Sequence, residues 1–319
     1  MTAAGLEIRR YSDDLKDVWD RFVATIKNRS FLFRRDYMDY HRDRFQDHSL
    51  LFQLGGKLLA CLPAHVVQGK LCSHQGLTFG GLLMCRDIRL GQLQAIASAL
   101  RDHLHSEGLS HLDYRPMPHP YHEIPAEEDI VALAAEGAAL SDARAVPFVR
   151  AGHARLSRDR LRDLRDKSLA DLLVRRSDDI RGFMRYCAEH RARRFNSTLV
   201  HSADEMVLLA ARFPDNIQHY VIERAGEALA GTILYRHGNC AKVQYSAPAS
   251  AAMEDGVMTH LYCKLLGDIL PAGQWVDFGH SHDFDGNFNS GVHQFKESLG
   301  ARTVLLARYN LAAAGRTPP

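Results

Sequence analysis

The chain has 319 residues and a formal net charge of +2, and 46% of its residues are hydrophobic. This length favours two domains over one, and the hydrophobic content is sufficient for two cores and too high for a disordered chain. The near-neutral charge gives no electrostatic reason to expect DNA as a partner. No apolar run approaches the roughly 20 residues of a membrane-spanning helix, so we expect no membrane span.

The compartment follows from the N-terminus and the cysteines. Residues 1–8 carry neither a basic stretch nor a long apolar stretch, so they do not read as a secretion signal. The six cysteines form no CxxC pair and lie mostly among apolar residues. We therefore expect a cytoplasmic protein with reduced cysteines in its cores.

The first half begins with alternating strand and helix signals. A Gly55-Gly56 pair between two apolar runs predicts a hairpin over residues 50–64. Apolar residues at helical spacing predict an amphipathic helix over residues 90–106, which Gly108 ends. The other predicted elements are a strand over 5–11, a helix over 13–27, a Gly- and His-rich section over 73–81 and a strand over 110–114.

A basic segment separates the two halves. Residues 150–194 hold thirteen arginines and one lysine against seven acids. One interpretation is a solvated helix with Asp/Arg pairs three or four residues apart, such as those among residues 159–165. The other is a surface that receives phosphate or RNA backbone, because arginine forks match phosphate oxygens.

The second half repeats the order of the first. A hairpin over residues 220–235 turns near Gly226, and a strand over 241–247 follows. Asp255 is a candidate N-cap for a helix over 256–270, and a strand over 275–278 corresponds to the one over 112–114. The repeated order predicts an internal duplication with a mixed α/β (α+β) sheet in each half. We place the domains at residues 1–150 and 151–319.

Polar residues follow the last buried strand of the second half. The segment Gly279-His-Ser-His-Asp283 comes directly after the strand over 275–278, and a helix with Gln294-Phe295-Lys296 comes next. The carboxyl ends of strands in α/β proteins are where sites tend to form. The pattern therefore indicates a candidate site in the second half.

Several segments resemble the FemAB-like branch of the GNAT acyltransferases, which has two GNAT-like domains in tandem. In the second half these are residues 213–217 (FPDNI), 243–246 (VQYS), 276–279 (VDFG) and 291–300 (GVHQFKESLG). In the first half they are residues 31–41 (FLFRRDYMDYH) and 73–81 (SHQGLTFGG). The resemblance implies transfer of an acyl or aminoacyl group onto an amine of a small or cell-envelope-related acceptor, with acyl-CoA or aminoacyl-tRNA as donor.

The resemblance also implies where the site lies. Two neighbouring strands of the second half, over 241–246 and 275–278, would diverge to admit the donor. The catalytic candidates are Asp277, His280, His282 and Tyr245. The donor- or substrate-binding candidates are Ser246, Gly256, Ser281, His293, Gln294 and Lys296.

Each candidate also has a structural interpretation. Asp277 could only hold a turn, Tyr245 could pack against a neighbouring strand, and Lys296 could be a charge near a helix end. No cysteine or serine has a GxSxG setting, so we expect direct attack by the amine rather than a covalent enzyme intermediate. Ser281 is the nearest nucleophile candidate.

One feature of the sequence counts against each of the two donors. Residues 249–257 (ASAAMEDGV) stand where CoA users carry a glycine-rich turn, and Glu254 and Asp255 would repel a pyrophosphate. Only Gly256 matches that turn. The long helical hairpin of many relatives that use tRNA is not apparent either. Neither donor is excluded.

Two other classes of function remain open. His280, His282, Asp283, Asp285 and His293 have the side chains of a zinc or non-haem iron site, although we expect no metal. The chain could also be a binding module without catalysis. We expect the first half of the chain to be a degenerate copy of the second, because the cluster of polar residues occurs only in the second half.

Overall fold

A computed structural model describes residues 5–195, 198–248, 256–282 and 286–313. The chain forms two compact units. The first unit comprises residues 1–144 and 305–319, and the second comprises residues 145–304. The domain boundary at residue 150 stays a prediction.

The first unit contains two sets of paired strands, in the orders β1-β3-β4-β7 and β15-β8-β6-β5-β2. The strands are β1 (Leu6–Arg10), β2 (Gln46–Asp47), β3 (Leu50–Leu54), β4 (Lys57–Leu62), β5 (His65–Val67), β6 (Lys70–Cys72), β7 (Leu83–Met84), β8 (His111–Tyr114), the first part of β9 (Ala139–Arg150) and the last part of β15 (Arg302–Ala312). The helices are α1 (Lys16–Val23), α2 (Arg35–Met38), α3 (Leu90–Ser106) and α4 (Glu128–Ala135).

The core of the first unit follows from its predicted elements. Gly55 and Gly56 both have positive φ and close the β3–β4 hairpin, as the sequence predicts. Helix α3 spans the predicted residues, and its apolar face, which includes Leu93, Ile96 and Leu100, belongs to the main hydrophobic cluster of the unit. The helix covers the strands by burying one stripe of apolar side chains.

The second unit has one sheet with the strand order β10-β11-β12-β13-β14-β9. Its strands are β10 (Leu173–Arg176), β11 (Ile217–Arg224), β12 (Glu227–His237), β13 (Cys240–Pro248), β14 (Trp275–Asp277), the last part of β9 and the first part of β15. Its helices are α5 (Arg158–Asp163), α6 (Ile180–Phe195), α7 (Ala203–Arg212), α8 (Val257–Lys264), which continues as a π-helix over Leu265–Ile269, and α9 (Ser290–Ser298). Helix α8 contributes Val257 and Leu261 to the core.

The same crossover occurs in both units. In the first unit β6 pairs in parallel with β8, and α3 lies between them in the chain. In the second unit β13 pairs in parallel with β14, and α8 lies between them. All other strand pairs described within the units are antiparallel. The predicted α/β class with a mixed sheet in each half is confirmed.

Two further observations concern the cysteines and the helices. All six cysteines are free thiols, and four of them are buried. Across the four described ranges, every helix is too short or too polar to cross a lipid bilayer.

Candidate functional site

The strands β13 and β14 separate shortly after they meet. They pair at three positions, of which Lys242↔Asp277 is the last. Beyond it, β13 continues to Pro248, and among the described residues its strand pairing is with β12 alone. The chain after β14 stays beside β9, with which β14 already pairs, and the Phe278 N–H donates to the Pro147 carbonyl at 3.0 Å. We call this divergence the strand fork.

A β-bulge lies on the β13 side of the strand fork. Ile233 pairs with Tyr245 and Leu234 with Val243, so Gln244 is an extra residue on β13. Such a bulge bends its strand and increases the local twist. The bulge therefore bends β13 just beyond its last pair with β14.

The loop after β14 is held by Asp277 and Lys296. We call residues 278–282 the polar loop. The buried Asp277 carboxylate accepts the Gly279 N–H at 2.6 Å. Lys296 Nζ, from α9, donates to the carbonyls of Gly279 at 2.8 Å and His280 at 3.2 Å, and to the Ser281 hydroxyl at 3.3 Å. An ammonium group has three donors, and all three are directed at the polar loop.

The environment of Lys296 perturbs its titration. Burial lowers the pKa of Lys296 to about 8, the nearby Asp277 carboxylate partly opposes this shift, and the positive charge of Lys242 adds to it. Lys242 stands opposite Asp277 in the last strand pair, and its Nζ would lie 3.8 Å from a Cβ at Gly279. Two lysines and one buried carboxylate thus lie at the base of the strand fork.

Ser281 and His293 form a buried pair behind the polar loop. Ser281 Oγ is 3.3 Å from His293 Nδ1, and His293 Nε2 is 3.6 Å from a carboxylate oxygen of Glu297. The order of the groups is that of a nucleophile, a base and an acid. However, only 2% of Ser281 is exposed and its hydroxyl also contacts Lys296. This burial favours a structural role over nucleophilic attack.

The remaining predicted residues of α9 and the polar loop lie nearer the surface. His280 is exposed, and its Nδ1 accepts the His282 N–H at 3.3 Å. The half-buried His282 ring contacts Phe288, with 5.5 Å between ring centres. Gln294 is exposed on α9. The structure thus brings Asp277, His280, Ser281, Lys296 and His293 together, whereas Gln294 stands apart on the surface.

Tyr245 is engaged elsewhere. Its hydroxyl lies 2.6 Å from Nδ1 of His201, a residue just before α7, and also accepts the His201 N–H at 3.3 Å. Burial raises the pKa of Tyr245 to about 12. Tyr245 is therefore held as a neutral phenol.

Ser246 takes part in a chain of hydroxyls under the strand fork. It donates to Thr232 Oγ1 at 2.7 Å, and Thr232 donates to the Tyr245 carbonyl at 2.9 Å. Burial raises the pKa of Tyr262 of α8 to about 12, and the neighbouring Ser246 hydroxyl partly opposes this shift. The Tyr262 ring meets the Phe278 ring edge-on, with 5.2 Å between centres. Tyr262 thus interacts with Ser246 on one arm of the fork and with Phe278 on the other.

Gly256 caps α8 in a left-handed conformation with φ of 91°. The cap is Gly256 rather than the predicted Asp255, which lies outside the described residues together with the rest of 249–255. A Cβ at Gly256 would stand 3.4 Å from the Cβ of Asp163. Asp163 accepts from the Thr259 hydroxyl at 3.1 Å and pairs with Arg160 at 2.8 Å. A carboxylate of α5 therefore stands at the N-terminus of α8.

Part of the basic segment, helix α5, carries paired Asp and Arg side chains. Arg160 pairs with Asp163, and Arg162 pairs with Asp159 at 3.3 Å, each three residues apart on α5. These pairs agree with the solvated-helix interpretation. The phosphate or RNA interpretation of the segment stays a prediction.

Sequence reasoning missed four residues of this site: Lys242, Tyr262, His201 and Asp163. Lys242 carried a signal, because it precedes the VQYS segment in a strand where a charge is unusual. The other three meet the site through contacts between distant segments. No local pattern marks them.

The metal hypothesis rested on histidines and acids of residues 280–293 and stays a prediction. Within the described ranges, no three histidine, cysteine or acidic side chains are placed to share a metal ion. Asp283 and Asp285, which completed the hypothesis, lie outside those ranges.

Solved structures share this fold at low sequence identity. FemX aligns over 96% of this chain and 97% of its own, with a TM-score of 0.63 and 10% identity. The C-terminal domain of a putative lysylphosphatidylglycerol synthetase from Agrobacterium fabrum aligns over 95% and 93%, with a TM-score of 0.60 and 10% identity. L-PGS from Bacillus licheniformis aligns over 82% and 83%, with a TM-score of 0.54 and 12% identity.

The sequence itself matches no protein-family profile and no curated protein. The chain thus shares the fold of FemX over almost its whole length, with one compact unit in each half.

Proposed function

We propose that the chain transfers an acyl or aminoacyl group onto an amine of a small or cell-envelope-related acceptor. The observation that carries this proposal is the strand fork, where β13 continues without β14 after the Lys242↔Asp277 pair. The edge of β13 that no longer pairs with β14 can pair with the arm of an extended donor. The reacting carbonyl would then meet the polar groups at the base of the fork.

The first unit supports placing the reaction in the second. Its equivalent strands, β6 and β8, stay linked after their last pair, Cys72↔Asp113. Ser73 donates its N–H to the Asp113 carbonyl at 2.9 Å, and its hydroxyl accepts the Arg115 N–H at 2.7 Å. Gly80 then bridges to Pro116. These contacts keep β6 and β8 joined at the position where, among the described residues, β13 and β14 stop pairing.

The residues at the strand fork suit direct attack by an amine. The acceptor must lose a proton, and the candidates to take it are Asp277, His280 and His282. The tetrahedral intermediate needs a donor or a positive charge at its oxyanion, which Lys242 can supply. Lys296 holds the polar loop in place and thereby positions these groups. Tyr245 is proposed to contribute through its hydroxyl, which His201 orients.

Between the two donors, the geometry favours aminoacyl-tRNA over acyl-CoA. A CoA pyrophosphate needs free N–H groups and positive potential at a helix N-terminus. At α8 the Asp163 carboxylate already lies beside Gly256 and adds negative charge there. Aminoacyl-tRNA carries single phosphodiesters and no pyrophosphate, so its binding does not require this helix N-terminus.

A donor panel tests the function. The full chain is titrated with acetyl-CoA, with aminoacyl-tRNA and with uncharged tRNA, and thermal unfolding is followed. A donor present at 100 times its Kd should stabilise the fold by about 2.7 kcal/mol. Transfer to amine acceptors is then measured with the donor that binds. Saturable binding without turnover on any amine would favour the binding module instead.

A matched pair of variants tests the site. Asp277→Asn removes the carboxylate at the strand fork, and we expect kcat to fall by about 10²-fold or more, the range for loss of a general base. Asp268→Asn removes an exposed carboxylate of the same unit that pairs with Lys264. The control should keep its activity. Equal activity of both variants would remove Asp277 from the mechanism.

A further inference from the structure

A second cluster of charges lies in the first unit, where β8 ends. The β15–β8 register ends with the pair Tyr309↔Tyr114, and Arg308 and Arg115 are the next residues of the two segments. Arg308 reaches back to Asp113, with 3.4 Å between Arg308 Nε and the carboxylate, and its charge acts on Arg115. Asp113 lies two residues before Arg115, so in an extended segment both side chains lie on one face. Arg144 and Asp142 of β9 also act electrostatically on Arg115.

The two carboxylates of this cluster are already engaged. Asp142 accepts from Arg144 Nε at 2.9 Å. Asp113 lies 3.4 Å from Arg308 Nε, but this contact does not have hydrogen-bond geometry, and the buried Arg308 Nε has no hydrogen-bond partner within the described ranges. The Arg115 guanidinium makes neither a hydrogen bond nor an ion pair with any described residue. Three guanidinium groups therefore share two carboxylates.

This arrangement is costly without a further anion. Arg115 is half-buried, and burial together with the charge of Arg308 lowers its pKa. The charge of Arg308 repels that of Arg115, and partial burial strengthens this repulsion. An arginine nevertheless stays protonated, so the cost is not removed by loss of a proton. An oxyanion would offset the repulsion and satisfy the unused donors.

The backbone around Arg115 is fixed in advance. The Arg115 N–H donates to Ser73 Oγ at 2.7 Å, and its carbonyl accepts the Gly80 N–H at 2.8 Å. These two hydrogen bonds fix the backbone of Arg115, so its side chain starts from a defined position. Binding therefore needs little ordering of the chain, which favours affinity.

We propose that the first unit binds an oxyanion, the carboxylate or phosphate of a small ligand, between Arg115 and Arg308. The planar guanidinium fork of Arg115 takes two oxygens, and Arg308 Nε supplies a further donor. This site is separate from the strand fork. Its existence does not depend on the proposed transfer reaction.

The test uses the full chain and simple anions. Inorganic phosphate and acetate are titrated separately by calorimetry, with chloride holding the ionic strength constant. We expect saturable binding of at least one anion with one site per chain, and the anion that binds more tightly identifies the ligand chemistry. Absence of saturable binding by both anions would overturn the proposal.

Variants locate the site. Arg115→Gln should raise the Kd at least about tenfold, as expected when a charge-assisted hydrogen bond is lost. Arg115→Lys should bind more weakly than the parent because it keeps the charge and loses the fork. Arg86→Gln, an exposed arginine of the same unit that pairs with Glu123, is the control and should bind as the parent does.

Two further variants keep the test decisive. Lys242→Gln in the second unit should leave the anion affinity unchanged, whereas a loss of affinity there would assign the anion to the strand fork and refute the proposal. If Arg115→Gln does not fold in the absence of anion, Arg308→Gln is used instead, and we expect its Kd for the anion to rise by the same factor. Unchanged affinity in a folded variant of Arg115 or Arg308 would equally refute it.

Discussion

We expect the protein to lose stability in mild acid because His219 is buried. It lies on β11 and its ring stacks on Phe183 of α6, with 4.5 Å between ring centres. Both ring nitrogens are buried and have no hydrogen-bond partner within the described ranges. Burial lowers the pKa of His219 from 6.5 to about 4. The folded protein therefore holds this ring neutral where the unfolded chain protonates it.

The sign and size follow from proton linkage. Because the folded pKa is the lower one, the contribution of His219 is fully present above about pH 6.5 and is lost as the pH falls towards about 4. A folded pKa of about 4 and an unfolded pKa of about 6.5 give a loss of about 2 kcal/mol between pH 8 and pH 5. That is a large part of the stability of an ordinary domain.

The substitution His219→Phe removes the titrating group and keeps an aromatic ring against Phe183. Urea unfolding of the parent and the variant is followed by circular dichroism at pH 8 and pH 5. We expect the free energy of unfolding to fall by about 2 kcal/mol less in the variant. His153→Gln replaces an exposed histidine of the same unit and should behave as the parent. An equal fall in His219→Phe and the parent would refute the reasoning.

Three further predictions concern the site. Lys296→Met should release the polar loop from its three hydrogen bonds and lower kcat by about tenfold or more, while binding of the donor changes less; transfer kinetics test this. Tyr245→Phe should lower the free energy of unfolding by about 1–3 kcal/mol, because His201 Nδ1 loses its buried partner; urea unfolding tests this. Gly256→Ala should destabilise by at least about 1 kcal/mol, because φ is 91° and the new Cβ would stand 2.9 Å from Leu169; unchanged thermal unfolding would contradict it.

The elements of this fold follow from local signals in the sequence. The hairpin over residues 50–64 depends on a two-glycine turn between apolar runs, and its strands form where predicted. Helix α3 has the predicted bounds because its apolar spacing and Gly108 act within a few turns of the chain. The parallel pair in each unit follows from the repeated strand–helix–strand order, since such strands need a crossover.

The site was predicted only in part, because local signals show which residues are neighbours along the chain but not which distant segments meet. The sequence identified Asp277, His280, Ser281 and Lys296 because they lie close together along the chain. It could not indicate that Lys296 directs all its donors at the polar loop, or that Asp163 stands at the start of α8. These contacts join segments that no local pattern relates.

Local patterns in the sequence predicted the two hairpins, helix α3, the duplicated order and the polar loop after β14. The separation of β13 and β14 after Lys242 and Asp277 is visible only in the folded chain. The same holds for the contact of the Tyr262 ring with Phe278 and for the action of the Arg308 charge on Arg115. Turns and helices are fixed by residues within a few positions of each other, whereas register and the divergence of strands depend on packing between distant segments.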